Sequence, residues 1–529
     1  MNNNRINITL NGKRVKAQEG ERLVEIIQRH DIPLSAPCYH KSLTETGHCG
    51  LCLVGARRKV TDNFSVVFAC TATAKDGMEV DTEYEEAVDK RNELSGLYLL
   101  RHPLDCSKCD KVGYCFLHRF ASRTKFSGFS RIAKGQLQDI KYKEFGQHIL
   151  FDAIKCIGCQ RCIRFCRDIL DEELLGFMRN ENGYEEVDLY PGKRLDSNYS
   201  LNLVDLCPAG ALVDKNCLYQ PTEWRLVSTP SISTESSIGI NTYVLHSGNK
   251  IFRIKPRENK YVNDVWISDS ARNEHRYFEN RKRLTKVVRN GQRARLEAAL
   301  LQMVASFLSN ELTVVCSGNM SLEDQFVLRR LLDSTVHNVY FLRKKRDCDG
   351  FLISDDAAPN VNGAILNKII AQEKITDDLQ ELNKKIQAGQ CKRILSINEE
   401  IFSYGISYAL PDDLQIFYIG TESNKTSERA TVVIPVSTVF ENTGTFINKN
   451  WRLQKFYKAV NSPNDNIFPM WYIFSLLLNT YLATSEKELL WLDDVWANMK
   501  RNIDLLANVD FFHVNFNGIS LKNHQKIIF

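Results

Sequence analysis

The sequence predicts an α+β chain in which small cysteine-rich modules precede a larger α/β domain built on a parallel sheet. Thirteen of the 16 cysteines lie within the first 217 residues, most of them at short spacings. Beyond residue 220, short apolar segments typical of buried strands alternate with helical patterns, and that alternation favours a parallel sheet. The 529 residues, 43% of them apolar, suffice for about three or four domains.

Composition and charge exclude several classes of function. The net charge of +5 over 529 residues gives nucleic-acid binding no support. The most apolar stretch, residues 470–483, has 14 residues, whereas a membrane span needs about 20, so it predicts a buried helix. The N-terminus has the pattern of a strand rather than of a secretory signal. We therefore expect a reducing compartment, in which clustered cysteines serve as metal ligands.

The first module is predicted from a hairpin and a helix. Residues 5–17 alternate in polarity around Asn11-Gly12, a pair that suits a two-residue hairpin turn. Apolar residues at helical spacing follow, as far as about His30. A hairpin, a crossing helix and a cysteine-bearing loop indicate a small β-grasp domain that ends near residue 82.

Further elements are predicted along the chain. Residues 85–101 carry apolar positions at helical intervals and lead into a second cysteine group. In the C-terminal half, residues 322–333 predict a helix among short buried strands, at 312–316, 337–341, 393–397 and 432–436.

The first cysteine set joins three cysteines of one loop to one from a distant strand. The spacing is C-x10-C-x2-C-x17-C, formed by Cys38, Cys49, Cys52 and Cys70. Ferredoxin-like β-grasp domains hold a [2Fe–2S] cluster in this way, although the plant-type spacing has a shorter first gap. Four thiolates also suit zinc, but the preceding hairpin and helix favour the cluster.

The second set contains a histidine. The spacing is H-x3-C-x2-C-x5-C, formed by His102, Cys106, Cys109 and Cys115. Four ligands this close in sequence can complete a site without a remote residue. Zinc fits these ligand types as well as a [4Fe–4S] cluster does, so the residues alone leave both open.

The third set is the bacterial ferredoxin run C-x2-C-x2-C-x3-C, a strong indicator of a [4Fe–4S] cluster. It is formed by Cys156, Cys159, Cys162 and Cys166, and Cys207-Pro208 follows later. The fourth cysteine of such a run normally serves a second cluster, and no second run exists here. We therefore assign the first three cysteines and Cys207 to one cluster, and we expect Cys166 to be a spare buried thiol.

Three sets in succession, without a substrate motif, indicate an electron relay. The sequence has no G-x-G-x-x-G dinucleotide motif and no G-x-x-x-x-G-K-S/T phosphate loop, so electrons would enter and leave through other chains. Eight lysines and arginines in residues 276–296, and the run at 343–346, are expected to form a solvated face or a docking surface.

Together the three sets resemble the large iron–sulfur subunit of the peripheral arm of respiratory complex I. That family shows a [2Fe–2S] domain, a [4Fe–4S] site with one histidine and three cysteines, and an all-cysteine [4Fe–4S] site ending in Cys-Pro. The most specific element is HPLDCSKCDKVGYC at residues 102–115. Residues 264–272, 349–364 and 432–454 resemble, less closely, pieces of its molybdopterin-oxidoreductase-type domain.

The resemblance implies α+β iron–sulfur modules followed by a shortened α/β molybdopterin-oxidoreductase-like domain. It divides the chain into a [2Fe–2S] ferredoxin-type β-grasp domain (1–82), a histidine-plus-three-cysteine [4Fe–4S] domain (83–145), a ferredoxin-like all-cysteine [4Fe–4S] domain (146–220), a remnant of a 4Fe–4S Mo/W-type domain lacking its cysteines (221–285), and a pterin-oxidoreductase-like domain without cofactor (286–529).

The resemblance also implies the cluster ligands. The [2Fe–2S] cluster would be held by Cys38, Cys49, Cys52 and Cys70, one [4Fe–4S] cluster by His102, Cys106, Cys109 and Cys115, and the other by Cys156, Cys159, Cys162 and Cys207. The chain would bind no molybdopterin, flavin or NAD, and would have no catalytic residue of its own.

The implied function is electron transfer within a proton-pumping NADH:quinone oxidoreductase. Electrons would come from an NADH-oxidising flavoprotein subunit, pass the [2Fe–2S], the all-cysteine and the histidine-ligated clusters, and leave through further iron–sulfur subunits towards quinone. Nucleic acid would not be a partner. Membrane contact would be made only through partner subunits, on the cytoplasmic side of a bacterial inner membrane or the matrix side of a mitochondrial one.

Two departures from the family bear on the alternatives. Some bacterial members carry a further C-x2-C-x3-C cluster, but here residues 231–241 read SISTESSIGIN, with Ser233, Ser236 and Ile240 at the cysteine positions. We therefore expect no fourth cluster. The C-terminal domain is also short for the family.

The alternatives are a soluble NAD-linked formate dehydrogenase or hydrogenase and a structural zinc protein. The dehydrogenase would need the missing fourth cluster. An iron-only hydrogenase would need grouped cysteines in the C-terminal half, but Cys316, Cys348 and Cys391 are isolated there. The zinc protein would be colourless.

Overall fold

The computed structural model describes two compact units, 1–225 and 226–529. The residues it describes are all those of the chain except 1–4, 60, 104–105, 107–108, 110, 113–114, 116, 118–141, 182, 184, 219, 281, 310–311, 336, 371–374, 484–487 and 523–529. Among the described residues, no helix is both long and apolar enough to cross a membrane.

The first unit begins with a five-stranded mixed sheet of order β2-β1-β5-β3-β4. Its strands are β1 (Arg5–Leu10), β2 (Lys13–Gln18), β3 (Leu53–Arg57), β4 (Ser65–Phe68) and β5 (Glu79–Asp81). The β1–β2 turn has φ of 49° at Asn11 and 77° at Gly12, as predicted for an Asn-Gly hairpin. Helix α1 (Leu23–Arg29) buries its apolar face against this sheet, and β5 runs parallel to β1.

A 17-residue helix, α2 (Glu85–Arg101), connects the first two cysteine sets. Arg91 anchors it to the N-terminal sheet by donating to the carbonyl of Leu53 at 3.0 Å and to that of Thr82 at 2.8 Å. Its next turns carry Leu94 and Tyr98 to the loop of the first cysteine set. The predicted helix is therefore confirmed, and it ends directly before His102.

The third cysteine set is framed by a small sheet and two helices. The sheet has the order β10-β7-β6, with β6 (Lys143–Glu144), β7 (Ile149–Phe151) and β10 (Leu212–Asp214). Helices α3 (Arg161–Asp168) and α4 (Asn202–Leu206) pack against each other, and the hairpin of β8 (Leu175–Arg179) and β9 (Glu185–Leu189) flanks α3.

The second unit opens with an antiparallel three-stranded sheet, followed by helix α5 (Asp269–Asn280). The strands are β11 (Val227–Ile232), β12 (Asn241–Ser247) and β13 (Lys250–Pro256). α5 packs on β13. The sequence analysis predicted no elements here.

The core of the second unit is an eight-stranded sheet of order β15-β14-β21-β20-β19-β16-β17-β18. Strands β16 to β21 are parallel, which confirms the predicted parallel α/β layer. The strands are β14 (Val288–Arg289), β15 (Gln292–Arg293), β16 (Leu312–Ser317), β17 (His337–Leu342), β18 (Ile375–Thr376), β19 (Arg393–Ile397), β20 (Gln415–Gly420) and β21 (Val432–Pro435).

Helices and a last small sheet complete this unit. The helices are α6 (Leu296–Ser309), α7 (Leu322–Asp333), α8 (Val361–Leu366), α9 (Gln380–Gln387), α10 (Lys425–Arg429), α11 (Met470–Leu482) and α12 (Leu492–Asn502), and the sheet joins β22 (Gly444–Ile447), β23 (Arg452–Phe456) and β24 (Ile519–Ser520). The apolar stretch at 470–483 forms the buried helix α11, which packs on α7.

Candidate metal centres

The first candidate centre lies on loops beside the N-terminal sheet. Its cysteines, Cys38, Cys49, Cys52 and Cys70, are each at most 1% exposed. Cys38 shares side-chain hydrogen bonds with Cys49 and with Cys70, and Cys52 shares one with Cys70. The structure thus brings together the four cysteines of the first predicted ligand set.

Backbone features explain how these loops meet. Cys52 directly precedes β3 and Cys70 follows β4, where the amide of Ala69 donates to the carbonyl of Cys52 at 3.0 Å. Gly50 has a φ of 71°, and a Cβ there would lie 2.5 Å from Cδ1 of Leu94 on α2. The positive φ favours glycine at this position, and the absence of a Cβ leaves room for the side chain of Leu94.

Hydrogen bonds among its cysteines shift the pKa values of the first centre in opposite directions. The hydrogen bond with Cys38 and then burial raise the pKa of the Cys49 thiol. Hydrogen bonds from Cys49 and Cys70 lower the pKa of Cys38. Buried thiols that share protons in this way can all become thiolates only when a metal replaces the protons, so the donor set fits a thiolate-bound iron–sulfur cluster.

The second candidate centre begins where α2 ends. The amide of Cys109 donates to the carbonyl of Cys106 at 3.2 Å, and the amide of Cys115 donates to that of Lys111 at 2.9 Å. A Cβ on Gly210 would lie 3.2 Å from Sγ of Cys109, so this sulfur lies beside the loop that follows Cys207. Several residues between these cysteines lie outside the described residues, and the grouping of this set into one site stays a prediction.

His102 has the environment of a metal ligand. Its Nδ1 atom is buried and has no hydrogen-bond partner among the described residues, whereas the ring makes a hydrogen bond with the backbone of Lys155. Burial, and then the charge of Lys155, lowers the pKa of the imidazole. A neutral ring with one bare nitrogen and one backbone hydrogen bond is the form in which histidine binds metals.

The third candidate centre is a small cavity lined by all four of its predicted ligands, Cys156, Cys159, Cys162 and Cys207. Its remaining walls are largely apolar. Burial raises the pKa of Cys156 to about 12 and that of Cys159 to about 11, so these thiols stay neutral without a metal. In the part of the chain that the structure describes, no three His, Cys, Asp or Glu side chains are grouped to hold a single metal ion.

Two backbone amides point at sulfur atoms of the third centre. The amide of Gly158 donates to Sγ of Cys156 at 3.4 Å, and the amide of Ala211 donates to Sγ of Cys207 at 3.2 Å. Gly158 has a φ of 66°, a backbone conformation that glycine adopts without strain. Hydrogen bonds to sulfur stabilise negative charge on cluster ligands, so this loop fits a [4Fe–4S] cluster.

Cys166 lies outside that cavity. It is on α3, is 1% exposed, and is absent from the residues that line the cavity. Burial, and then the charge of Glu172, raises its pKa to about 12. Two other cysteines make local hydrogen bonds, Cys217 to Asp214 and Cys391 to Thr313.

Several side chains of the basic segments are paired with carboxylates. Arg343, Lys344, Lys345 and Arg346 each contact a carboxylate, those of Asp355, Glu399, Asp377 and Glu235 respectively. Arg283 pairs with Glu441 at 2.7 Å, and its side chain is only 16% exposed. The predicted solvated face or docking surface therefore does not include Arg283, because its guanidinium pairs with a partly buried carboxylate.

Two arginines of α3 were not predicted from the sequence as functional residues. Arg161 and Arg164 contact both the first and the third centres. The available signal was their spacing. They lie three apart within the ferredoxin run itself, so both fall on one face of the helix that the run begins.

Three family models match the chain. A 2Fe-2S iron-sulfur cluster binding domain matches residues 3–85. The ferredoxin-like domain of NADH-quinone oxidoreductase subunit 3 matches 146–213, and an NADH-ubiquinone oxidoreductase NDSU1/NuoG-like 4Fe-4S domain matches 226–275. The chain thus combines a 2Fe–2S ferredoxin domain with 4Fe–4S ferredoxin-like domains in a mixed α/β fold, which is the architecture of an iron–sulfur protein.

Curated relatives show which iron–sulfur subunit the chain resembles. An NADH-quinone oxidoreductase subunit from Rickettsia felis is 28% identical over 341 residues, 63% of this chain and 50% of that protein. The mitochondrial NADH dehydrogenase iron-sulfur protein 1 of Solanum tuberosum is 29% identical over 352 residues, 64% of this chain and 46% of that protein. These matches confirm the resemblance to the large iron–sulfur subunit of complex I. The chain spans about half the length of these relatives.

Solved structures give a looser match. An NAD+-reducing [NiFe]-hydrogenase in the H2-reduced state aligns with 41% of this chain and 91% of that chain, at 20% identity and a TM-score of 0.35.

Proposed function

We propose that this chain is an electron-transfer iron–sulfur subunit of an NADH:quinone oxidoreductase of the complex I type. The observation that carries the proposal is that all three predicted ligand sets lie in one compact unit, residues 1–225. Two of the sets are drawn together, one by hydrogen bonds among thiols and one around a cavity. Relatives named as components of this oxidoreductase support the same assignment.

The proposed ligands are the twelve residues of the three sets. When bound, a [2Fe–2S] and two [4Fe–4S] clusters would each accept and release one electron. The chain itself buries the sulfur atoms, directs amides at them and holds His102 neutral, and these contributions set how readily a cluster takes an electron. The twelve ligands would be Cys38, Cys49, Cys52, Cys70, His102, Cys106, Cys109, Cys115, Cys156, Cys159, Cys162 and Cys207.

Side chains pack between the candidate centres. The hydroxyl of Tyr98 on α2 donates to the carbonyl of Cys49 at 3.3 Å. Tyr98 and Ile157 also pack against two buried groups, one containing Cys38, Cys49 and Cys159 and the other containing Cys115. An electron relay requires such neighbouring, buried sites.

The finer assignments belong to the same proposal. The NADH-oxidising flavoprotein subunit and further iron–sulfur subunits would be the partners, and contact with a membrane would run through them. Residues 286–529 would be a pterin-oxidoreductase-like domain without cofactor, and residues 221–285 a remnant of a 4Fe–4S Mo/W-type domain. Residues 226–275, which match a 4Fe-4S domain, contain no cysteine. A formate dehydrogenase or hydrogenase subunit is the alternative, which the names of the curated relatives do not favour.

Metal analysis of the anaerobically purified full chain tests the proposal. We expect about ten irons with matching acid-labile sulfide. EPR after reduction should show one binuclear and two tetranuclear signals. About fourteen irons would mean a fourth cluster and would favour the dehydrogenase alternative, whereas zinc without sulfide would exclude electron transfer.

The Cys106→Ala variant tests the second ligand set. One tetranuclear EPR signal should disappear, with the loss of about four irons per chain. The other two signals should keep their amplitude, because their predicted ligands are unchanged. Loss of all three signals from a chain that remains folded would contradict the division into three sites.

A further inference from the structure

Arg164 of α3 connects the first and third candidate centres. It is 1% exposed, although its guanidinium carries a full charge. That guanidinium donates to the backbone carbonyl of Cys38 in the first centre and, at 3.4 Å, to that of Cys159 in the third. It also donates to the carbonyls of Thr44 and Gln160. One buried cation therefore holds the loops of both centres.

Arg161 lies one turn earlier on the same helix and repeats the arrangement. It lines the cavity of the third centre. Its guanidinium donates to the carbonyl of Tyr39, which follows Cys38, and at 3.2 Å to that of Leu206, which precedes Cys207. This side chain too spans from the loop of the first centre to a ligand loop of the third.

Among the described residues, the two guanidiniums have hydrogen-bond partners but no carboxylate to balance their charge. Each acceptor that the described residues offer them is a backbone carbonyl. Burial of an unpaired cation is strongly unfavourable. The carbonyls that they contact belong to the loops of Cys38, Cys159 and Cys207. Thiolates that hold clusters at these cysteines would supply the compensating negative charge in both centres.

We propose that Arg161 and Arg164 are shared counter-ions of the first and third clusters, and that their positive charge raises the reduction potentials of both. The reason is electrostatic, because reduction adds one negative charge to a cluster and a nearby buried cation stabilises that charge. The proposal rests on the proposed function, since it requires clusters at these cysteines.

A redox titration of the full, cluster-loaded chain followed by EPR tests this proposal. The Cys106→Ala background leaves one binuclear and one tetranuclear signal to be followed. In Arg164→Met we expect both midpoint potentials to fall. The oxidised-to-reduced ratio at a fixed potential should rise at least about tenfold for each cluster, which is about 59 mV for a one-electron couple.

Arg167→Met is the matched control. Arg167 lies on the same helix, but its side chain is 55% exposed and pairs with Asp168 at 3.0 Å. Solvent screens its charge, so both potentials should stay within a twofold change in that ratio. Arg164→Lys keeps the charge without the guanidinium fork, and it should lower the potentials less than Arg164→Met.

The outcomes distinguish a failure of the counter-ion proposal from a failure of the proposed function. If Arg164→Met takes up no clusters, the midpoint potentials of Arg161→Met and Arg164→Lys test the proposal instead. Unchanged potentials, a shift at one cluster only, or an equal shift in Arg167→Met would overturn the shared counter-ion. Absence of iron and sulfide from the unsubstituted chain would overturn the proposed function itself.

Discussion

The cysteines of α3 differ in what surrounds each sulfur atom. Cys162 lines the cavity of the third centre, whereas Cys166, one turn later, lies outside it. The run C-x2-C-x2-C-x3-C does not distinguish the two residues. The remote Cys207 distinguishes them. If Cys207 is the fourth ligand of the third set, one of the four thiols of the run has no cluster to bind.

This difference predicts contrasting variants. Cys162→Ala should lose about four irons per chain, because a ligand of the cavity is removed. Cys166→Ala is the matched control on the same helix and should keep its iron, sulfide and EPR signals. Iron analysis of both purified variants checks this, and loss of iron from Cys166→Ala would make that cysteine a ligand.

Glu323 of α7 is a carboxyl buried in the second unit. It accepts hydrogen bonds from the amide and hydroxyl of Thr445, at 3.0 and 2.8 Å, and from the indole of Trp496 at 3.0 Å. Burial nevertheless raises its pKa to about 7. The folded state therefore binds the proton more tightly than the unfolded chain, whose pKa is about 4.3.

The sign of the pH dependence follows. A raised folded-state pKa contributes stability below about pH 4, and this contribution is lost as the pH rises through about 7. Relative to Glu323→Gln, the free energy of unfolding of the unsubstituted chain should fall by up to about 3 kcal/mol between pH 4.5 and pH 8.

Urea unfolding followed by tryptophan fluorescence measures this difference. Five of the six tryptophans lie in the second unit, so the signal reports on it. Glu297→Gln, at an exposed position of α6, is the control and should follow the unsubstituted chain at each pH. Parallel pH profiles for Glu323→Gln and the unsubstituted chain would exclude this effect.

At the scale of elements, periodic segments were predicted well from sequence. The helices at 85–101 and 322–333 have the predicted bounds, and the predicted strand at 393–397 coincides with β19. The local apolar spacing located these segments, although α7 also buries Glu323, Asp324 and Gln325. The bounds were therefore predictable from the sequence, whereas the burial of these three polar side chains was not.

Elements whose local pattern is obscured were not predicted. The β14–β15 hairpin turns at Asn290 and Gly291, which have φ of 51° and 76°, but charge dominates the surrounding sequence. Strand β11 contains Pro230, a residue that argues against a strand unless it lies at an edge. β11 is in fact an edge strand, with β12 as its partner. Sheet position is a long-range property that local sequence does not encode.

The N-terminus of α7 provides a prediction at this scale. The Ser321 hydroxyl accepts from the Asp324 amide at 3.1 Å, and the Asp324 carboxylate accepts from the Ser321 amide at 2.8 Å, which forms a capping box. Ser321→Ala should lower the free energy of unfolding by about 1 kcal/mol. Urea unfolding monitored by tryptophan fluorescence checks the value.

Ser334→Ala, at the other end of α7, is the control for this prediction. The Ser334 hydroxyl donates to the carbonyl of Arg330 at 3.2 Å and caps no amide, so its loss should cost only about a few tenths of a kcal/mol. Equal losses in the two serine variants would show that the capping box contributes nothing specific.

At the scale of the whole molecule, cysteine spacing predicted three sets of ligands but not how the sets are connected. The connections depend on residues that are not themselves predicted ligands, such as Tyr98 on α2 and Arg164 on α3. Tyr98 contacts Cys49, and Arg164 contacts both Cys38 and Cys159. The contacts of Tyr98 with Cys49 and of Arg164 with Cys38 join residues 49 and 126 positions apart in sequence, so only the folded chain reveals them.

The division into two units predicts how the chain responds to cluster removal. All twelve proposed ligands lie within residues 1–225, and five of the six tryptophans lie beyond them. Where a metal site forms only on folding, the free energy of metal binding adds to that of folding. Anaerobic removal of iron should therefore destabilise the first unit and leave the second unit nearly unchanged.

Two measurements on the same samples test this expectation. Calorimetry of the loaded and the iron-free chain should show one transition that moves to lower temperature or vanishes. Tryptophan fluorescence should report a melting temperature that stays the same within about 2 °C, because a change of about 1 kcal/mol moves the Tm of a unit as large as the second one by about 2 °C. Reconstitution with iron and sulfide should restore the first transition. A tryptophan-reported melting temperature that falls together with the iron content would mean that the clusters also stabilise the second unit, and the two units would then not be energetically separate.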